Sequence, residues 1–381
     1  MAGPPLAGIK VLELARILAG PWAGQLLADL GADVIKVESP SGDDTRRWGP
    51  PFVENGDGTR DAAYFHAANR GKRSLAIDFT TPEGQAEVRR LAVEADVLIE
   101  NFKVGGLKKY GLSFDDLAAL NPRLVYCSIT GFGQTGPYAA RAGYDFIVQG
   151  MSGIMDLTGD PAGPPQKIGV AYADIMTGLY AVTGIQAALI QRESTGRGQH
   201  VDAALFDVMV ATLANQAMNC LISGKSPQRL GNAHPNIVPY DVYPAADGWF
   251  ILATGNDAQF ARVSAVLGIA PGPHLATNAG RVAARAEVFD MISAATKLSK
   301  RNDLLARLEA AGVPAGPINS VAEALADPQI AARGIVRSFT REGGGSVPGL
   351  VTPLHFSGAP LACGAASPQL DDAHDHRRTF T

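Results

Sequence analysis

Strand and helix patterns alternate through the first third of the 381-residue chain, and no other feature limits the possible folds as strongly. Ile9–Leu14 reads as a short buried strand. Pro21–Leu30 reads as a helix with Ala23, Leu26, Leu27 and Leu30 on one face, stopped at Gly31, and Val34–Val37 reads as a second strand. The unit then repeats. Ser74–Asp78 is strand-like, Thr81 caps a helix that has Pro82 at its first position and runs through Val93, and Val97–Glu100 is the next strand. A short helix at Phe114–Leu120 and a strand at Leu124–Ile129 follow. Strands separated by helices pair in parallel and need cover on both faces, so the expected fold class is α/β with a mainly parallel sheet.

Past the middle the pattern changes. A long helix runs from Asp174 to about Arg192, Thr195–Gln199 is a turn, His200–Ala203 a strand and Leu205–Leu221 an apolar helix. Ser223–Pro239 is rich in Gly, Ser, Asn and Pro and reads as a linker or site loop. A smaller unit spans 223–326, with strands at Tyr240–Pro244 and Trp249–Ala253 and helices at Asp257–Leu267, Val282–Leu298 and Arg301–Ala311. The division expected is a large domain over 1–222 and a small domain over 223–326, with a Pro- and Gly-rich tail from Asp327.

Composition removes several function classes. Lys and Arg number 33 against 37 Asp and Glu, which lacks the basic excess of a nucleic-acid binder. Cys127, Cys220 and Cys363 have neither metal nor redox spacing, which favours a reducing compartment. The N-terminus has no basic and apolar signal pattern, and the apolar stretch before Arg192 holds Asp174, Gln186 and Gln191, which suits a membrane span poorly. A cytoplasmic protein without nucleic-acid or membrane partners is the expectation. The tail Asp371–His376 carries metal-ligand types but reads as a solvated terminus, and no bound metal is expected.

Gly131-Phe132-Gly133-Gln134-Thr135-Gly136 matches a dinucleotide fingerprint after a strand, which would make the protein a nicotinamide oxidoreductase. The pattern should open a helix, but Pro137 and a further loop follow, so a tight backbone loop near a ligand is the better reading. Two basic clusters, Arg70-Gly71-Lys72-Arg73 and Lys103 with Lys108 and Lys109, are either solvated loops or phosphate clamps. Asp174 is the only charged residue between Lys167 and Arg192. An unpaired carboxylate among small and apolar residues must be explained, because desolvation penalises its charge. It caps a helix N-terminus, or it is an oxygen nucleophile for covalent catalysis, and the two roles are compatible.

Taken together, Leu6–Leu14, Ala19-Gly20-Pro21, Asp29–Glu38, Asn69–Leu75, Glu100-Asn101-Phe102, Thr130–Pro137, Asp174 and Thr195–Gln199 resemble the family III coenzyme A transferases, the group of formyl-CoA transferase and carnitine CoA-transferase. The resemblance spans nearly the whole chain. It implies a Rossmann-like large domain built from both ends of the chain, so that 327–381 completes 1–222, a small domain between, and an interlocked homodimer. It places the nucleophile on Asp174. CoA contacts fall on Leu18, Ala19, Arg73, Ile77, Asp78, Phe79, Thr80, Asn101, Phe102, Lys109 and Tyr144, and Gly131 and Gly133 would serve a developing oxyanion. CoA and acyl-CoA are then substrates, with no permanently bound cofactor, and small carboxylic acids are the other partners.

The same superfamily includes 2-methylacyl-CoA racemases, whose histidine base would fall at Tyr144, and tyrosine is a poor base near neutrality. Three segments, Gly42–Phe52, Gly231–Tyr240 and Gly312–Asn319, most resemble the succinyl-CoA-dependent dicarboxylate transferases. For the second carboxylate of such a substrate, Arg46 with His234 and Tyr240 is the expected contact. The alternative is that Arg46 pairs with Asp43 or Asp44.

Overall fold

The computed structural model of the protein describes residues 3–341, 345–373 and 379–380. The chain forms two compact units. The larger takes residues up to Ile154, Lys167–Lys225 and those from Pro328 onward, and the smaller takes Met155–Gln166 and Ser226–Asp327. The segment 155–166, which the sequence reading left in the large domain, therefore groups with the small unit. It has no strand or helix periodicity of its own to signal this.

The large unit holds six parallel strands, β1 (Lys10–Glu13), β2 (Asp33–Glu38), β3 (Arg73–Ala76), β4 (Val97–Glu100), β5 (Val125–Thr130) and β6 (His200–Ala204), in the order β3-β2-β1-β4-β5-β6. Alternate side chains enter two different cores. Val11, Val34, Val97, Ile99, Val125 and Cys127 face one, and Leu12, Ile35, Val37, Leu98 and Tyr126 face the other. Such two-sided burial is why these strands read as continuous apolar runs.

Helix α1 (Ala19–Asp29) and the long α4 (Tyr172–Thr195) cover the first face, and α2 (Pro82–Glu94) covers the second. The remaining helices near the site are α3 (Asp145–Met151) and α5 (Leu205–Ala211). The sequence reading gave one helix over Leu205–Leu221. The structure breaks it into α5 and Ala214–Ser223, with Ala214 at φ +46°. Likewise Val282–Leu298 is two helices, Asn278–Ala283 and Arg285–Thr296. Apolar periodicity continues across both breaks, so pattern alone could not see them.

The strand order reverses direction between β1 and β4. In parallel sheets the loops leaving the carboxyl ends on either side of such a reversal diverge and open a crevice. That crevice here is bounded by the turn after β1 and by Asn101–Val104 after β4.

Among the described residues of the C-terminal tail, Asp371, Asp372 and Ala373 are not a solvated end. Asp372 Oδ1 accepts from Ser74 N at 2.8 Å and Asp371 Oδ1 from Ala76 N at 3.0 Å, so the tail satisfies the outer backbone donors of edge strand β3. Ala373 and Phe380 are buried beside α2 and its core. His374, Asp375 and His376 lie outside the described residues.

The small unit has a three-stranded antiparallel sheet in which Gly248–Ala253 lies between Tyr240–Ala245 and Ala315–Pro317. Phe250, Leu252, Phe260, Val263, Leu304 and Leu308 form its core.

Candidate active site

A cavity of about 570 Å3 occupies the crevice at the β1/β4 reversal. Its wall includes Leu18, Ala19, Phe79, Thr80, Asn101, Phe102, Lys109, Gly131, Tyr144 and Asp174, all expected from the sequence. It also includes Arg16, Lys103, Tyr110, Arg141, Gly143 and Asp145. Of these, only Lys103 had been noticed, as part of a basic cluster. Arg16 and Arg141 carry no spacing signal, because each is a single cation on an irregular loop.

Asp174 is the third residue of α4, and the N-cap is Ala171. The expectation that Asp174 caps this helix is therefore corrected. Its own side chain makes no hydrogen bond among the described residues. The cap comes from another helix: Asp145 Oδ1 accepts from Ala173 N at 2.8 Å, and Asp145 Oδ2 accepts from Gln149 at 2.8 Å. Asp145 thus satisfies one of the free N–H groups that begin α4 and leaves the Asp174 carboxylate facing the cavity.

Burial, together with the negative charge of Asp145, raises the pKa of Asp174 to about 7. The sequence reading held this carboxylate ionised by the helix end. Here desolvation comes first and the second carboxylate adds to it, and near neutrality both protonation states are populated. Tyr64, half-buried and packed edge-on against Trp48 at 5.3 Å, is held above its usual range by burial and by the charges of Asp174, Asp145 and Asp43. It was not found from the sequence.

Two close backbone approaches position these groups, and each requires glycine. A Cβ on Gly178, one turn beyond Asp174, would lie 2.9 Å from the carbonyl oxygen of Ala19 and 3.1 Å from Trp22, so glycine lets α4 cross α1 at the cavity wall. A Cβ on Gly131 would lie 2.5 Å from Gly143 Cα. That contact brings the end of β5 against the segment carrying Tyr144 and Asp145.

The rim is cationic. Arg16 lies over the Phe102 ring at 5.6 Å, Lys109 over Tyr110 at 4.6 Å, and Arg141 over Tyr138 at 4.6 Å and Phe132 at 5.5 Å. Phe79 packs edge-on against both Phe102 (5.7 Å) and Tyr110 (5.6 Å), giving the cavity an aromatic floor between cations. Such a wall suits a ligand with anionic groups and a flat ring.

Several expected contacts lie elsewhere. Arg73 opens β3 at the amino end of the sheet, opposite the crevice, and its guanidinium meets both oxygens of Asp33 at 2.5 and 2.6 Å. Arg70 and Lys72 are likewise buried in pairs, with Asp29 and Glu13. The first basic cluster is therefore neither a solvated loop nor a phosphate clamp. Ile77 is a core residue, and Asp78 is exposed, accepting from Thr80 N (3.0 Å) and Oγ1 (2.6 Å). Gly133 N donates to Thr130 Oγ1 at 3.0 Å, so that amide is engaged and does not face an oxyanion.

Arg46 is corrected most clearly. It is 5% exposed, and its five N–H groups are all used, on Glu38 (2.8 and 2.7 Å), Asp61 (3.0 Å) and the carbonyl of Pro368 (3.3 Å twice). Its partners are neither a substrate nor Asp43 and Asp44. His234 and Tyr240 belong to the small unit, where their rings lie 5.2 Å apart and His234 N donates to Tyr240 O at 3.0 Å.

Residues 6–374 match the family model described as CoA-transferase family III. The chain is 60% identical over 374 residues to a succinate–glutarate CoA-transferase of Agrobacterium fabrum, covering 97% of this chain and 94% of that protein. It is 43% identical over 354 residues to the succinyl-CoA:glutarate CoA-transferase of Homo sapiens, covering 91% and 79%. Among solved structures, a CAIB/BAIF family protein from Brucella suis superposes with a TM-score of 0.88 at 62% identity, covering 98% of each chain.

Proposed function

The chain belongs to CoA-transferase family III and is a CoA-transferase; from that membership we propose that it carries CoA from succinyl-CoA to glutarate or a closely similar dicarboxylate, with Asp174 as the nucleophile. One observation carries the role of Asp174: it is a carboxylate without a hydrogen-bond partner among the described residues, at the wall of a cavity rimmed by cations and aromatic rings. The choice of donor and acceptor follows the relative that is 60% identical.

The chemistry follows from the carboxylate. An Asp174 oxygen attacks the thioester carbonyl, the C–S bond breaks, and CoA leaves as its thiolate, giving a mixed anhydride. The thiolate then attacks the aspartyl carbonyl and releases the donor acid, leaving an aspartyl-CoA thioester. The acceptor carboxylate attacks the aspartyl carbonyl of that thioester, the C–S bond breaks to give CoA thiolate and a second anhydride, and the thiolate then attacks the acceptor's acyl carbon, which breaks the anhydride C–O bond and frees the Asp174 carboxylate. A poorly solvated carboxylate is a better nucleophile than one in water, and partial burial also limits hydrolysis of the anhydride.

Leu18, Ala19, Phe79, Thr80, Asn101, Phe102, Lys109 and Tyr144 line the space for CoA, and the end of β5 at Gly131 is the remaining candidate for an oxyanion donor. We take the protein to be the interlocked homodimer of this family. Ile190, Leu221 and Ile222, 74–79% exposed in the single chain, are apolar surface of the kind a partner covers.

The test is direct. Incubation with succinyl-CoA and glutarate should yield glutaryl-CoA and succinate by mass spectrometry, and Asp174→Ala should abolish it. Turnover by Asp174→Ala would end the mechanism, whereas solvent deuterium entering a 2-methylacyl-CoA without transfer would favour racemisation.

A further inference from the structure

The turn from β1 to α1 presents Arg16, Ile17 and Leu18 to the cavity, and it is strained. Ile17 has φ +70°, a left-handed conformation that a β-branched residue disfavours and that glycine would adopt freely. Its backbone N–H donates to both oxygens of Asp43, at 3.4 and 3.2 Å.

Asp43 is held in turn. Its Oδ2 lies 3.0 Å from Lys36 Nζ, and Lys36 also donates to Ala15 O at 2.8 Å and to Glu13 at 3.1 Å. Lys72 Nζ reaches Glu13 at 2.8 Å, Pro21 O at 2.8 Å and Asn69 at 2.9 Å. The side chains of Glu13, Lys36, Asp43 and Lys72 form a neutral quartet closed to solvent. From the cavity side, Asn101 accepts from Arg16 N at 2.9 Å and donates to Arg16 O at 2.7 Å. Polar backbone groups of Ala15, Arg16, Ile17 and Pro21 are thus each gripped by a side chain from elsewhere in the sequence.

We propose that the Glu13–Lys36–Asp43–Lys72 quartet is a positioning device for acyl-CoA, holding Ile17 left-handed so that the β1–α1 turn keeps the shape the ligand binds. The inference rests on the reading of this cavity as the acyl-CoA site. A buried ion pair contributes little net stability against apolar replacements, so holding a geometry is the better account of what four buried charges do here. Glycine at position 17 would make the grip unnecessary, and that gives the test.

Asp43→Asn keeps the shape but places an amide NH2 against one set of donors whichever way it turns. Oδ1 faces Thr45 N and Oγ1 at 3.0 and 2.8 Å, and Oδ2 faces Lys36. CoA affinity, measured by calorimetry, should weaken about tenfold in Asp43→Asn alone, the scale of one strained backbone position. In an Ile17→Gly background the same change should weaken affinity less than about threefold, because glycine holds the turn unaided. If Asp43→Asn does not yield folded protein, Thr45→Val removes the hydroxyl that orients Asp43 Oδ1 at 2.8 Å without touching the cavity, and should show the same dependence on position 17. Equal losses of affinity in both backgrounds would overturn the positioning role alone. Wild-type protein that binds no CoA would overturn the reading of the cavity and this proposal with it.

Discussion

At the scale of the residue, Asp174 is governed by what surrounds it. Its conspicuousness was legible in the sequence as a lone charge in an apolar run. Its protonation was not, because the decisive charge, Asp145, stands 29 positions earlier and arrives through the fold. A pKa raised to about 7 has two consequences with definite signs. The nucleophile must be ionised, so kcat/KM for the acyl-CoA should rise about tenfold per pH unit below 7 and level off above it. Asp145→Asn removes a negative charge while keeping an acceptor for Ala173 N, and should move that inflection to lower pH. A wild-type profile flat from pH 5 to 8 would contradict the assignment.

The second consequence concerns stability. A carboxyl whose folded pKa lies above its unfolded value binds more protons folded than unfolded, so its contribution becomes less favourable as pH rises from about 4 through 7. Asp174→Asn, permanently neutral, should therefore be more stable than wild type at pH 8, by on the order of 2–4 kcal/mol. The difference should vanish near pH 4. Urea unfolding at the two pH values measures it, and equal stabilities at pH 8 would remove the case for a desolvated charge.

At the scale of the element, the site depends on close crossings that glycine permits. The sequence shows many glycines and does not say which ones face a backbone. Gly178 faces the Ala19 carbonyl and Gly131 faces Gly143, and both contacts join segments far apart in the chain. Gly178→Ala should destabilise the protein by about 1–3 kcal/mol, the usual scale of overpacking. Gly131→Ala should lower kcat by more than about tenfold by displacing the segment that carries Tyr144 and Asp145. Wild-type kcat in Gly131→Ala would mean that this packing does not position the site. The broken helices show the same limit, since apolar spacing persists across Thr212 and Leu213 where the backbone does not stay helical.

At the scale of the whole molecule, the exposed apolar side chains of the large unit bear on assembly. Sedimentation should give a particle of twice the 39.8 kDa chain mass that does not dissociate on dilution to nanomolar protein. A monomer carrying full activity would rule out the interlocked dimer.

The sequence by itself determined the alternation of strand and helix, hence a parallel sheet covered on both faces, and it singled out Asp174 as a lone charge and the glycine loop as a tight turn near a ligand, whereas Phe102 and Lys109 were placed at the site by the family resemblance. Those features are local. Apolar periodicity and turn residues report whether a segment is buried and how its own backbone bends. Only the tertiary structure decided where the β1/β4 reversal opens the cavity, and which cations remain at its rim. Arg46, Arg70, Lys72 and Arg73 look the same in sequence as Lys103, Lys109 and Arg141. The first four pair with Glu38, Asp29, Glu13 and Asp33, three of the pairs buried and the Arg73 pair partly exposed, whereas the last three lie on connections beyond the strand ends, where the cavity wall forms. Charge pairing depends on distance in space, and that distance is set by strand order rather than by position along the chain.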